Sequence, residues 1–123
     1  MTSSNSALES TINQAWEDRA QLSPTTASKE VLQAVEHVIN ELNTGRLRVS
    51  SKQAVGQWVT HQWIKKAVLL SFRLHDNEMI HAGQLGFYDK VKTKFSNLND
   101  EEMKASGVRV VPPAVARRGS FIG

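Results

Sequence analysis

An arginine in the C-terminal part of the sequence is the first residue whose type and setting could do chemistry. Arg109 interrupts the apolar run V-R-V-V at residues 108–111, directly before the proline pair at 112 and 113. Arginine stays charged when buried, and its planar guanidinium can bind a carboxylate through two parallel hydrogen bonds. Arg109 is therefore a candidate carboxylate ligand. From the residues alone, two commoner alternatives stay open: an edge-strand arginine facing solvent, or one paired with an acidic residue of its own chain.

The remaining reactive residue types form no catalytic pattern. The sequence contains no cysteine, which excludes a disulfide, a thiolate zinc site and a cysteine nucleophile. The histidines do not share the spacing of metal ligands, so we predict no metal site; they stand at His37, His61, His75 and His81. Motifs of the serine-nucleophile, P-loop, dinucleotide and zinc-protease types are absent. The catalytic residues therefore stay unassigned, and no cofactor-binding residue is predicted.

Basic and aromatic residues raise the alternative of a nucleic-acid surface. The residues concerned are Lys65, Lys66, Lys90, Lys92 and Lys94, with Trp58, Trp63, Phe87 and Tyr88 available for base stacking. The formal net charge is only +3, which is small for a protein that must neutralise several phosphates. Two of the aromatics also fall where a helix or hairpin needs core residues. We predict no nucleic-acid partner.

The length and composition indicate a single soluble domain. A chain of 123 residues buries roughly two-thirds of its unfolded surface, which suffices for a core without disulfides. The first ten residues lack the basic and apolar regions of a signal peptide, and no stretch reaches the ~18 apolar residues of a membrane span. A cytoplasmic protein without a membrane partner is expected.

Hydrophobic periodicity predicts helices that must position the candidate site. Residues 6–20 begin with the capping-box pattern Ser6-x-x-Glu9 and place Leu8, Ile12 and Trp16 on one stripe. Ser28 can cap a second helix that runs to Gly45, with a 3.6-residue apolar period. Thr60 can cap a third helix through Arg73 that is apolar around most of its circumference and hence central. Asn99 and Glu102 predict a short fourth helix that ends at Gly107.

Strand signals are weaker. Residues 46–51 alternate in polarity and, after a turn near Gly56, residues 57–60 are predicted to pair with them as a hairpin. Residues 74–98 give no firm assignment, although residues 87–91 could form a short strand or an ordered loop. Residues 108–111 predict a strand that Pro112 must terminate or place at a sheet edge.

The pattern of the last residues predicts the beginning of a further structural unit. Val110, Ala116 and Ile122 are spaced by six, which is the period of a left-handed β-helix, although three positions alone do not define such a coil. We expect an α+β domain at residues 1–107, followed at residues 108–123 by a strand and linker into a first hexapeptide-repeat coil that this chain does not contain.

Three segments together resemble a known family. They are GQWVTHQWIKKAVLLSFRLHDN at 56–77, FYDKV at 87–91 and GVRVVPPAVARRGSFI at 107–122. They are similar to the N-terminal domain of the bacterial 2,3,4,5-tetrahydropyridine-2,6-dicarboxylate N-succinyltransferases, and the resemblance covers nearly the whole chain. Lys92 departs from the pattern, since the family usually has proline there.

The resemblance implies a trimeric cytoplasmic enzyme of lysine and diaminopimelate synthesis that transfers succinyl from succinyl-CoA to a dicarboxylate amine. It implies that a left-handed β-helix follows the α+β domain, forms the homotrimer and carries the succinyl-CoA site, so no bound cofactor is expected here. It also implies that Arg109 binds a carboxylate of the substrate. The alternative is a stand-alone, non-catalytic binding or interaction module derived from the same domain.

Overall fold

The fold is described by a computed structural model that covers the backbone of residues 3–123 and the side chains from residue 5 onward. The elements in chain order are α1 Ser3–Glu17, α2 Lys29–Asn43, β1 Ser50–Ala54, β2 Gln57–Thr60, α3 Gln62–Ser71, β3 Glu78–Ala82, β4 Leu85–Asp89 and α4 Asp100–Ser106. A short 3₁₀ turn at Arg19–Gln21 follows α1. The predicted α+β class is confirmed.

The core lies between the three long helices. The apolar stripe predicted for the first helix is confirmed, since Ile12 is fully buried and Leu8 and Trp16 pack beside it. Helix α3 contacts both α1 and α2, and its predicted central position is confirmed. The buried set is Ile12, Ala15, Ala34, Val35, Val38, Ile39, Leu42, Trp63, Ile64, Ala67, Leu70 and Leu74. These residues form one hydrophobic core shared by α1, α2 and α3.

The helix ends follow local capping chemistry, with two corrections. Ser28 caps α2 by accepting a hydrogen bond from the backbone N–H of Val31, as predicted. Asn99 and Glu102 form the predicted capping box of α4. The box predicted at Ser6 is wrong, because α1 is already helical from residue 3 and Ser6 lies inside it. The predicted Thr60 cap is also wrong: Thr60 is the last residue of β2, and the next residue takes the cap position.

The first hairpin pairs β1 with β2 in antiparallel register, but β1 begins later than predicted. Residues 46–49 form a bend rather than a strand, because the N–H of Leu47 donates to the carbonyl of Glu41 over 3.1 Å and ties the bend to α2. The side chains of Leu47 and Val49 pack against the core. Core packing therefore overrides the alternating pattern at these positions.

The second hairpin, β3 with β4, occupies the region that gave no firm assignment from sequence. Its register pairs Glu78 with Asp89 and Ala82 with Leu85, and Gly83 supplies a positive φ of 64° in the turn. Most of its side chains are exposed, so no buried face imposes an alternating apolar pattern that the sequence could reveal. The possible strand at residues 87–91 corresponds to the end of β4.

The strand predicted at residues 108–111 is wrong. The segment is neither helical nor part of either sheet in the described residues, since the two sheets pair only β1 with β2 and β3 with β4. The peptide bond between Pro112 and Pro113 is cis.

None of the helices formed by residues 3–123 combines the length and the apolar character that crossing a bilayer requires.

We predict that Leu70→Ala lowers the free energy of unfolding by about 2–5 kcal/mol, because Leu70 is fully buried where α3 meets α1 and α2. The matched control is Leu69→Ala on the adjacent, 41% exposed position, which should cost less than about 1 kcal/mol. Urea unfolding followed by circular dichroism measures both. Equal losses would contradict the placement of the core.

Candidate functional site

Arg109 lies on the surface in the extended segment that follows α4. Gly107 ends α4 with a left-handed φ of 72°, and the turn after Arg109 is closed by the N–H of Ala114, which donates to the carbonyl of Val111 over 2.8 Å. The side chain of Arg109 is exposed and forms no hydrogen bond, ion pair or ring contact within residues 3–123. The internal-pair alternative is therefore wrong. Arg109 does face solvent, as the first alternative predicted, although its segment is not a strand, and the guanidinium is free to meet an external anion.

Most other arginines already have partners within the chain. Arg73 is the one further arginine in the described residues whose guanidinium makes no such contact. The remaining pairs are Arg19 with Trp16, Arg46 with Glu41, Arg48 with the Phe121 ring, Arg117 with Asp89 and the Phe72 ring, and Arg118 with Glu36 and Asn40. Arginines so paired position the chain and are poor candidates for substrate binding.

The C-terminal segment folds back onto the domain beside residues 92–94. The N–H of Lys94 donates to the carbonyl of Ala116 and the N–H of Arg118 donates to the carbonyl of Lys92, each over 2.8 Å. Thr93 and Arg117 form an antiparallel bridge between these two bonds. Both ends of the segment that carries Arg109 are therefore attached to the body of the domain.

The ammonium group of Lys94 is the centre of this attachment. It donates to the backbone carbonyl and to the side-chain Oδ1 of Asn43, each over 2.9 Å, and to the carbonyl of Ser120 over 2.6 Å. The same Oδ1 of Asn43 accepts from the N–H of Gly119 over 3.0 Å. Burial lowers the pKa of Lys94. All three carbonyl acceptors favour the charged form, and Lys94 thus joins the end of α2 to the C-terminal segment.

An aromatic contact completes the docking. The Phe121 ring lies against Gly45, where a Cβ atom would approach ring carbons to 2.9 Å, and Gly45 has a φ of 79°. The guanidinium of Arg48 lies over the Phe121 ring, 5.2 Å from its centroid. Glycine is required here both by its backbone conformation and by the space that the ring takes.

A groove of about 890 Å³ runs between α2, the end of α3 and the segments 74–78 and 90–92. Its charged lining is mixed in sign and includes Glu36, Asp76, Lys90 and Arg117. The ammonium of Lys90 donates to the carbonyl of Phe72 over 3.1 Å and is thereby engaged. Arg109 does not line this groove, so the groove and the predicted carboxylate ligand are separate features.

The structure also shows where the other candidate residues from the sequence lie. Trp63 is buried, and the ammonium groups of Lys90 and Lys94 bind protein carbonyls, so these three residues are engaged within the domain. His61 is hydrogen-bonded through Nε2 to the hydroxyl of Ser51 over 2.8 Å. Among residues 3–123, no three His, Asp or Glu side chains lie together as metal ligands would.

The residues spaced by six do not form a coil within the described chain. Val110 and Ile122 are exposed at 38% and 43%, and Ala116 is half-buried through its contact with residues near Lys94. The domain boundary at residue 107 and the linker role of residues 108–123 stay predictions.

Sequence reasoning missed the roles of Lys94 and Asn43. A lysine in a turn-rich segment reads as a solvated charge, and no local pattern links it to residues 26 and 51 positions away.

Comparison with known proteins places this architecture in a class. The family model described as "Tetrahydrodipicolinate N-succinyltransferase N-terminal" matches residues 7–74. Among curated proteins, the chain is 71% identical over 115 residues to a protein of Albidiferax ferrireducens, 69% to one of an Acidovorax species and 64% to one of Bordetella pertussis. Each is named 2,3,4,5-tetrahydropyridine-2,6-dicarboxylate N-succinyltransferase, and each alignment covers 94% of this chain and 42% of the relative.

The fold and these matches define the class, an α+β N-terminal domain. The chain belongs to the tetrahydrodipicolinate N-succinyltransferase N-terminal family. It spans about two-fifths of the length of the relatives it matches, 42% in each case.

We predict that Lys94→Met lowers the free energy of unfolding by about 1–3 kcal/mol, because three acceptors lose a charged donor. The matched control is Lys92→Met: its side chain is exposed, and the carbonyl that binds Arg118 is kept. The control should cost no more than about 0.5 kcal/mol. Urea unfolding of both variants is the measurement, and indistinguishable stabilities would refute the role of Lys94.

A second prediction concerns acid stability. The backbone N–H of Lys90 and, to a smaller extent, the guanidinium of Arg117 lower the pKa of Asp89. A lowered pKa in the folded state contributes stability above the unfolded value of about 4, and this is lost as the pH falls through the folded value. Asp89→Asn should therefore show a shallower loss of stability between about pH 5 and pH 2.5. Parallel curves for both proteins, from urea titrations at each pH, would exclude Asp89 as a contributor.

Proposed function

We propose that this chain is the N-terminal part of an enzyme that transfers the succinyl group of succinyl-CoA to tetrahydrodipicolinate, in lysine and diaminopimelate biosynthesis. The observation that carries the proposal is the 71% identity over 115 residues to a protein named as that succinyltransferase. This similarity spans 94% of the chain, including the segment around Arg109. It favours the enzyme over a stand-alone binding module.

Arg109 is the residue we assign to the substrate. Tetrahydrodipicolinate carries two carboxylates, and a guanidinium binds a carboxylate with geometric specificity. Arg109 is exposed and unpaired within the described residues, whereas the nearby Arg117 and Arg118 are held by Asp89 and Glu36. Attachment of the chain before and after Arg109 limits the freedom that binding would otherwise remove.

The remaining parts of the reaction are assigned outside these residues. A thioester is already activated, so attack by a neutral amine needs deprotonation, alignment of the two substrates and donors for the developing oxyanion, but no enzyme nucleophile. The absence of cysteine from this chain is compatible with that chemistry. We propose that succinyl-CoA binds in a left-handed β-helix of hexapeptide repeats, beyond residue 123, that also forms a homotrimer. The enzyme would act in the cytoplasm, and residues 1–123 alone would be inactive.

We predict that Arg109→Ala in the full-length enzyme raises the KM for the dicarboxylate substrate at least about tenfold and changes the KM for succinyl-CoA by less than about twofold. The reason is that one carboxylate loses its bidentate partner while the thioester site is untouched. Steady-state kinetics with each substrate varied in turn provides the measurement.

The matched control is Arg73→Ala, since Arg73 is the other arginine without a side-chain contact in the described residues. It should leave both KM values within about twofold of the parent enzyme. An unchanged KM for the dicarboxylate in Arg109→Ala would remove Arg109 from the substrate site. If instead the full-length protein with unchanged sequence transfers no succinyl group at all, the proposed activity is wrong.

A further inference from the structure

The hairpin formed by β3 and β4 carries no formal charge over most of its length. Residues 79–88 contain no Asp, Glu, Lys or Arg, and the nearest charged residues lie at the base of the hairpin, at Glu78 and Asp89. Its large exposed side chains are Met79 at 55%, Leu85 at 56%, Phe87 at 36% and Tyr88 at 68%. An uncharged strand pair of this kind is unusual on a protein surface, because exposed strand edges are normally protected by charges or proline.

Both faces of the hairpin are open. Met79 and Tyr88 lie opposite each other in the register and therefore share one face, while Ile80 and Phe87 share the other. Within residues 3–123, neither strand makes an extended contact with a helix or with the first hairpin, and none of these side chains packs against the hydrophobic core. A two-stranded hairpin alone is only marginally stable in water. The β3–β4 hairpin therefore lacks a packing partner in the described residues.

The exposed apolar surface of the hairpin is too small for a stable dimer of this chain. With roughly 150–250 Å² for each large side chain, the exposed fractions amount to on the order of 400 Å². This area is typical of the largest apolar patches on soluble monomers, which often mark interaction sites. A stable interface between separate proteins buries about 800 Å² on each partner. An occupant that belongs to the same polypeptide needs less area, because the tether raises its effective concentration.

The path of the C-terminal segment favours an occupant that follows it in the chain. Arg117 pairs with Asp89 at the base of the hairpin over 2.9 Å and forms the bridge with Thr93. From Arg117 to residue 123 the chain reaches at most about 20 Å when extended. Each strand of the hairpin is about 17 Å long. The matched relatives are longer than this chain, which covers 42% of each of them. In the proposed enzyme, the polypeptide beyond residue 123 thus starts within reach of the hairpin.

We propose that the β3–β4 hairpin docks onto the part of the full-length enzyme that follows residue 123. The inference rests on the proposed function, because only the full-length enzyme contains that part. Apolar side chains of the downstream part cover Met79, Leu85 and Tyr88 and exclude water from them. Because residues 79–88 carry no formal charge, the contact does not depend on ionic strength.

Hydrogen–deuterium exchange followed by mass spectrometry tests the docking, in the full-length enzyme and in residues 1–123 alone. Peptides that cover residues 79–88 should exchange at least about tenfold more slowly in the full-length enzyme. This protection should persist in about 1 M sodium chloride, which screens exposed charges. Peptides that cover residues 50–60 of the first hairpin should exchange at rates within about twofold of each other in the two proteins.

Tyr88→Ser in the full-length enzyme should remove the protection of residues 79–88, because the most exposed aromatic side chain of the hairpin is lost. The matched control is Trp58→Ser, since Trp58 is an aromatic residue of the first hairpin with a similar exposure of 66%. The control should leave the protection within about twofold of the parent enzyme. In residues 1–123 alone, Tyr88→Ser should leave the circular dichroism spectrum unchanged, which separates lost docking from lost folding.

Equal exchange of residues 79–88 in the two proteins would overturn the proposal, as would equal effects of Tyr88→Ser and Trp58→Ser. Protection in residues 1–123 alone that rises with protein concentration would assign the surface to a second copy and would also overturn it. Succinyl transfer by the same full-length preparation separates this inference from the proposed function. An active enzyme with an unprotected hairpin contradicts the docking alone, whereas a protected hairpin in an inactive protein contradicts the activity alone.

Discussion

The ammonium group of Lys94 holds together segments that lie far apart in sequence. It binds the end of α2 through Asn43 and the C-terminal segment through Ser120, while its backbone N–H binds Ala116. Residues 95–119, which include α4 and Arg109, are thus closed into a loop whose two ends meet at one place. Closing a loop restricts the conformations of everything within it, so the position of Arg109 depends on a lysine that it does not touch.

The arginines fall into two groups, those with a partner inside the chain and those without one. Arg117 and Arg118 come only a few residues after Arg109, yet both are neutralised by carboxylates of the domain, Asp89 and Glu36. Exposed ion pairs contribute little stability individually, but they add orientation where several act with hydrogen bonds on one segment. Arg109, in contrast, forms no ion pair within the described residues. Arg109 thus carries a free guanidinium on a segment that is attached to the domain at both ends. This arrangement suits recognition of a carboxylate on an external ligand.

The sequence predicted those features that depend on neighbouring residues. Ser28 and Asn99 as helix caps, and the apolar stripe around Ile12, follow from hydrogen bonds and periodicity within a few positions, and the structure contains them. The strand predicted at residues 108–111 failed because a strand needs a partner edge, which local pattern cannot reveal. The hydrogen bonds of Lys94 join segments that are distant in sequence, and no spacing in the sequence encodes them.

Amide hydrogen exchange at Gly119 and Arg118 tests the docking of the C-terminal segment most directly. Their N–H groups donate to Oδ1 of Asn43 and to the carbonyl of Lys92, over 3.0 and 2.8 Å. We expect both amides to exchange at least about a hundredfold more slowly than in an unstructured peptide, and Asn43→Ala to remove the protection at Gly119. Exchange of both amides at the unprotected rate in the parent protein would show that the segment is not docked, and the loop that positions Arg109 would then be open.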